Sequence, residues 1–196
     1  AGSIQILRGA GTSTNGAGSF GGSINLSTNE VIREKGLEFN NTAGSFNSFK
    51  NTLILHSGIF AKHFTFDGRL SSIRSDGYID RASTKLGSFY TSAAYLDEKN
   101  SLRLNIFSGK EKTYQAWYGV DSATLVNDRT YNSAGTEKPG DPYDNETDNY
   151  TQTHYQLFYN RKLNERWKGN ITLFLTEGKG YYEQYKADES LNDYGL

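Results

Sequence analysis

The sequence predicts an all-β protein, a transmembrane antiparallel β-barrel present only in part, and three observations predict it. From Gly36 onward, segments of about 9 to 13 residues alternate apolar and polar side chains, the period of two that marks strands. Those lengths approach the ~9–11 residues of a tilted membrane-crossing strand and exceed the ~5–6 of an ordinary one. Short and long connections alternate along the chain, as in barrels with tight turns at one rim and extended loops at the other. Aromatic residues recur beside the short connections, where a ring with a polar tip suits a membrane interface.

Leu37–Ala43 is the first strand of this series, and Gly44-Ser45-Phe46-Asn47 turns it into Ser48–Ile59. There Leu53 and Leu55 share one face and Thr52, Ile54 and His56 the other. Phe60–His63 leads to Phe64–Arg74; the turn-rich Ser75–Ser83 leads to Thr84–Leu96. Asp97–Asn100 is a tight turn before Ser101–Ser108, and Gly109–Asn149 reads as one long polar excursion. Tyr150–Leu163 and Trp167–Thr176 flank the turn Asn164–Arg166, and Gly178–Leu196 reads as polar and unfinished. Phe60, Phe64, Tyr95 and Trp167 lie beside the short turns. About seven strands are expected over 36–196.

Composition narrows the function. With 21 Lys+Arg against 22 Asp+Glu, there is no basic excess to suit nucleic acid. No cysteine is present, which removes disulfides and thiolate metal sites. No apolar run approaches the ~20 residues of a membrane helix, a test to which barrel strands are blind because only one face meets lipid. No signal peptide is seen, and the chain is expected to be a piece of a longer polypeptide.

Two shorter strands precede the series, Ile4–Arg8 and Ser23–Ser27, joined by a segment crowded with Gly, Ser and Thr. Small residues permit close backbone approach but build no core. This stretch resembles the end of the plug domain of TonB-dependent outer-membrane receptors. The resemblance is carried by Ile4, Ile6, Arg8, Gly9, Gly16, Gly21, Gly22, Ile24 and Asn25, with Ala10 a departure after Arg-Gly. It continues through Lys50–Lys112, including the loop entry SDGYIDRAS, and weakens in the long loop. It implies that 1–29 is the end of a plug, 30–35 a linker and 36–196 the early part of a transmembrane barrel enclosing that plug. It further implies active uptake of a scarce nutrient, an iron chelate, cobalamin or oligosaccharide, across the bacterial outer membrane. The implied partners are TonB, acting through a region upstream of this chain, outer-membrane lipid, the nutrient, and a surface lipoprotein or barrel-assembly machinery. No bond is made or broken, so no enzyme activity and no cofactor are expected.

The expected plug–barrel contacts are Arg8, Gly9, Gly21, Gly22 and Asn25, with Arg8 implied by the resemblance to pair with carboxylates of the barrel wall. The aromatics Tyr114, Trp117, Tyr118, Tyr131 and Tyr143 are ligand-loop candidates, since exposed rings stack on sugars and flat ligands; packing of the loop on itself is the competing reading. Gly16–Gly21 spells G-x-G-x-x-G, but a strand rather than a helix follows it, which argues against a dinucleotide site. Asp141, Asp144, Glu146 and Asp148 lack the spacing of a Ca²⁺ loop, and His56, His63 and His154 are scattered, so no metal site is expected. The alternatives are a surface adhesin or carbohydrate-binding β protein, and an incomplete barrel held as client of an assembly or export complex.

Overall fold

A computed structural model describes residues 3–9, 21–27 and 31–196. The chain divides into two units, Ala1–Arg33 and Glu34–Leu196.

In the first unit, β1 (Ser3–Arg8) pairs antiparallel with β2 (Gly22–Ser27), in register from Ser3↔Ser27 to Arg8↔Gly22. The Gly9 N–H donates to the Gly21 carbonyl at 3.2 Å and carries the pairing one step further. Ile4, Ile6 and Ile24 are exposed within this unit, and a two-stranded ribbon is marginal by itself. The G-x-G-x-x-G stretch, apart from Gly21, lies outside the described residues, as do Ala10, residues 28–29 of the expected plug and residue 30 of the expected linker.

The second unit is a seven-stranded antiparallel meander in strict chain order. Its strands are β3 (Lys35–Gly44), β4 (Ser48–Ser57), β5 (Phe64–Ser75), β6 (Thr84–Leu96), β7 (Asn100–Tyr114), β8 (Thr147–Lys162) and β9 (Lys168–Tyr182). The short connections are closed by side chains the sequence supplies at the right offset. Asp97 Oδ1 accepts from the Lys99 and Asn100 N–H groups at 2.8 and 2.7 Å. Asn164 Oδ1 accepts from Arg166 and Trp167 N–H, both at 2.9 Å. These are Asx turns, in which a short polar side chain mimics a backbone carbonyl. At the β3–β4 turn Phe46 and Asn47 stand at φ 58° and 51°, a left-handed geometry that matches the twist of a hairpin. Asn47 is held there by donating to Asp76 Oδ2 at 2.6 Å, and Phe46 packs edge-on against Tyr78.

Four expectations need correction. The first strand begins at Lys35, inside the stretch read as linker. β4 ends at Ser57, two residues before Ile59. Gly109–Tyr114 belongs to β7 and Thr147–Asn149 to β8, so the long loop spans only residues 115–146. Gly178–Tyr182 continues β9. In the last two cases the strand runs on past its apolar segment, where both faces are polar and the alternation that marks a strand disappears. The loop also holds a short helix, α1 (Ser122–Asn127), whose Asp121 N-cap accepts from the Ala123 and Thr124 N–H groups at 2.8 and 2.9 Å.

Candidate functional site

The two faces of the seven-stranded sheet are opposite in character. On one, Phe66, Ala93, Leu104, Leu157 and Leu173 form a single cross-strand row. Phe64, Tyr95, Leu102, Tyr159 and Ile171 form the row on its short-turn side. On its other side, Leu37, Leu55, Thr91, Ile106, Tyr155 and Leu175 stand on the same face, then Phe39, Leu53, Leu70 and Phe89. Leu53, Leu104, Ile171 and Leu173 are 38%, 41%, 60% and 60% exposed. On β6 the belt runs from Phe89 to Tyr95, about 20 Å of strand at ~3.3 Å per residue.

The opposite face is the shielded one, and it is largely polar. Thr52, Thr65, Asp67, Ser92, Arg103 and Asn105 are buried there beside Ala94. His56 Nδ1 and Asp67 Oδ1 lie 2.7 Å apart, and the register continues through Ser92, Asn105 and Gln156. Phe107 stacks on the His154 ring at 4.6 Å, and His154 Nδ1 meets Thr176 Oγ1 at 3.0 Å. A cavity of about 390 Å³ opens on this face between Ser88, Phe107, Glu111, Tyr150, Gln152 and His154. His63, at the far rim, bonds the Leu96 carbonyl at 2.7 Å. The three histidines therefore have three separate environments.

At the short-turn rim the aromatics meet one another. Phe60 stacks on Phe64 at 5.9 Å, and Phe64 meets Tyr95 edge-on at 5.3 Å. Trp167, at the β8–β9 turn, is exposed.

At the other rim the long loop packs on itself and on its neighbours. Asn132, buried, donates to the carbonyls of Asp80 and Gln115, both at 3.0 Å. The Arg81 guanidinium donates to the carbonyls of Asn132 and Ala134. Gln115 is buried and donates through Nε2 to the Glu183 carbonyl at 3.3 Å. Gly135, at φ 79°, sits where a Cβ would run into the Tyr114 hydroxyl and lie 2.7 Å from the Tyr143 carbonyl, so glycine alone fits. Glu146 is buried, and the backbone amides of Gly135 and Tyr185 favour its charged form. Burial pushes its carboxyl above the usual range. Glu183 is held below that range by the Tyr143 hydroxyl it accepts from.

The loop aromatics divide into two groups. Tyr114 is buried, its hydroxyl donating to the Ala134 and Tyr143 carbonyls, and Tyr143 is half-buried against Glu183. The hydroxyls of these two are already engaged. Trp117, Tyr118 and Tyr131 are exposed. The acidic residues divide likewise, Asp141 and Asp144 outward and Glu146 inward. In the first unit Arg8 is exposed at the end of β1, opposite Gly22, and Asn25 Nδ2 approaches Gln5 Oε1 at 3.5 Å. Sequence reasoning missed the tie from Asn132, Arg81 and Glu146; no motif marks it, since each acts through backbone groups.

No protein-family model matches this chain, and no curated protein matches it. The functional reading therefore rests on the geometry and on the resemblance stated above.

Proposed function

We propose that this chain is the end of the plug and the early barrel of a TonB-dependent outer-membrane transporter, which takes up a scarce nutrient such as an iron chelate, cobalamin or oligosaccharide. The observation that carries the reading is the inverted polarity of the sheet. In water a sheet buries its apolar face and exposes its polar one, and large exposed apolar patches on soluble proteins are rare. Here apolar residues are exposed on β3 to β7 and on β9 and half-buried on β8, while Thr52, Asp67, Ser92, Arg103 and Asn105 are shielded. A hydrocarbon solvent removes the contradiction, because the belt then faces lipid and the polar face lines a lumen. The belt's ~20 Å along the strand, flanked by aromatic residues, is somewhat short of the ~25 Å apolar band of such barrels. On this reading Arg8, Gly9, Gly21, Gly22 and Asn25 belong to the plug, and Trp117, Tyr118 and Tyr131 are the loop rings free to touch ligand.

The test is fractionation of the protein from a Gram-negative host. It is expected in the outer-membrane pellet after high-salt and alkaline washes and in solution only with detergent. Recovery in the aqueous fraction without detergent would overturn the transporter reading and leave the adhesin or carbohydrate-binding module, with the same three rings as its binding surface.

A further inference from the structure

Immediately beyond the belt, on the same face and toward the long-loop rim, the register brings cations together. Arg74 pairs with Lys85 and Lys85 with Lys112, one cross-strand row over β5, β6 and β7. One row nearer the belt stand Ser72, Gly87 and Lys110. Directly opposed side chains have Cβ atoms ~4.5–5.5 Å apart, and like charges so placed repel. All four basic side chains are exposed, and among the described residues none lies within ion-pair distance of a carboxylate, the pairs found being His56–Asp67 and Lys162–Glu165. Arg74 is anchored over the Phe49 ring at 4.6 Å, and Lys112 donates to Asn145 Oδ1 at 2.6 Å. Glu183, whose carboxylate feels the charge of Lys112, accepts from the Tyr143 hydroxyl. At Gly87 a Cβ would meet nothing within 4 Å, which leaves a notch beside Lys85, Lys110 and Ser72. Just below the notch begin Leu70 and Phe89.

We infer that this row binds the phosphate of a lipid headgroup, with Lys85, Lys110 and Lys112 around the anion and the acyl chains lying along Phe89, Leu70 and the belt beneath. The inference rests on the membrane reading above and specifies one lipid contact of that surface. An anion between the opposed cations turns their mutual repulsion into attraction. Apolar residues on one side of the charges and hydrated loop on the other match the two ends of a phospholipid. A free phosphate would satisfy the charges but leave the adjoining apolar strip unused.

The test uses the full chain purified in dodecylmaltoside and titrated with short-chain phosphatidic acid, phosphatidylcholine or inorganic phosphate, the retained lipid being counted by native mass spectrometry. Phosphatidic acid is expected to bind and phosphatidylcholine to bind far more weakly. The K85Q/K112Q variant is expected to lose about thirtyfold in affinity, from about fivefold for each cation near a lipid surface. The control K62Q/K168Q alters lysines at the opposite rim and is expected to bind as the wild type does; circular dichroism checks that both variants fold. Equal binding by K85Q/K112Q and wild type would overturn the inference, as would an equal loss in the control. So would displacement of the lipid by inorganic phosphate at matching concentration, which would mark an anion site without lipid selectivity. A chain that leaves the membrane without detergent defeats the transporter reading; one that needs detergent but holds phosphatidic acid independently of Lys85 and Lys112 defeats only this inference.

Discussion

Tyr114 shares its hydroxyl proton between the carbonyls of Ala134 and Tyr143, and the loop from 115 to 146 closes around it. Tyr114→Phe removes a donor without changing shape, and the expected cost is ~1–3 kcal/mol of loop stability for buried acceptors left short of a partner. Limited proteolysis would detect it as faster cleavage between 115 and 146 with the strands intact. Asp97 and Glu146 respond to pH with opposite sign. The Lys99 N–H first, then the Asn100 side chain and N–H, hold the Asp97 carboxyl down to about 2. A folded value below the ordinary ~3.9 means that this contribution is present above the ordinary value and is lost as pH falls through about 2. An NMR titration of the Lys99 and Asn100 amides is expected to show a midpoint near 2 that disappears in Asp97→Asn. Glu146 is raised by burial, so its contribution is full below the ordinary carboxylate value and is lost as pH rises through the raised one. Glu146→Gln keeps an acceptor for Gly135 and Tyr185 and removes the buried charge. At neutral pH its loop is expected to resist protease at least as well as the wild type, and Glu146→Ala to be cleaved faster.

Among the elements, each strand is two segments in series, an apolar-alternating one and a polar rim. The first segment is what the residue pattern makes legible: Thr84–Leu96 is the same in expectation and in structure. The rim is not legible. At Lys110, Glu111, Lys112 and Thr113 both faces are hydrophilic, yet every residue pairs with β8. Pairing there is fixed by the backbone ladder that the apolar segment starts, so the local sequence carries no sign of it. β9 is extended in the same way through Gly178 and Gly180, where the Tyr150 side chain covers the glycines so closely that an added Cβ would lie 2.6 Å from its hydroxyl at Gly178 and 2.6 Å from its ring at Gly180. α1 was missed for a different reason: six residues are too few to show a period, although Asp121 before Ser-Ala-Thr is a legible cap. The face assignment does follow from the alternation, and it predicts an asymmetry between the two faces of the sheet. Leu104→Arg puts a charge on the belt and is expected to cost ~2–4 kcal/mol of folding stability in a bilayer. Thr172→Arg, on the polar face, is expected to cost much less; unfolding titrations in lipid vesicles would compare the two, and equal costs would contradict the lipid-facing reading.

For the molecule as a whole, the partition of polarity matters more than any single site. The candidate site was legible only in part because its aromatics were read by residue type, whereas their roles depend on which hydroxyls the loop has already engaged. Tyr114 and Trp117 lie three positions apart in the chain, yet one is sealed and the other open. Stability should also be graded across the sheet. β4 to β8 each have partners on both sides and β3 and β9 on one only, so amide exchange in detergent is expected to be slowest in the middle strands and fastest along the flanks.

Those flanks have a further effect. β9 offers fifteen residues of backbone whose outer edge pairs with no strand among the described residues, and on the membrane reading proposed above each unpaired backbone group in hydrocarbon is worth several kcal/mol. On the membrane reading it is expected to serve as a template, pairing through peptide geometry with an extended segment that comes alongside before side chains are read.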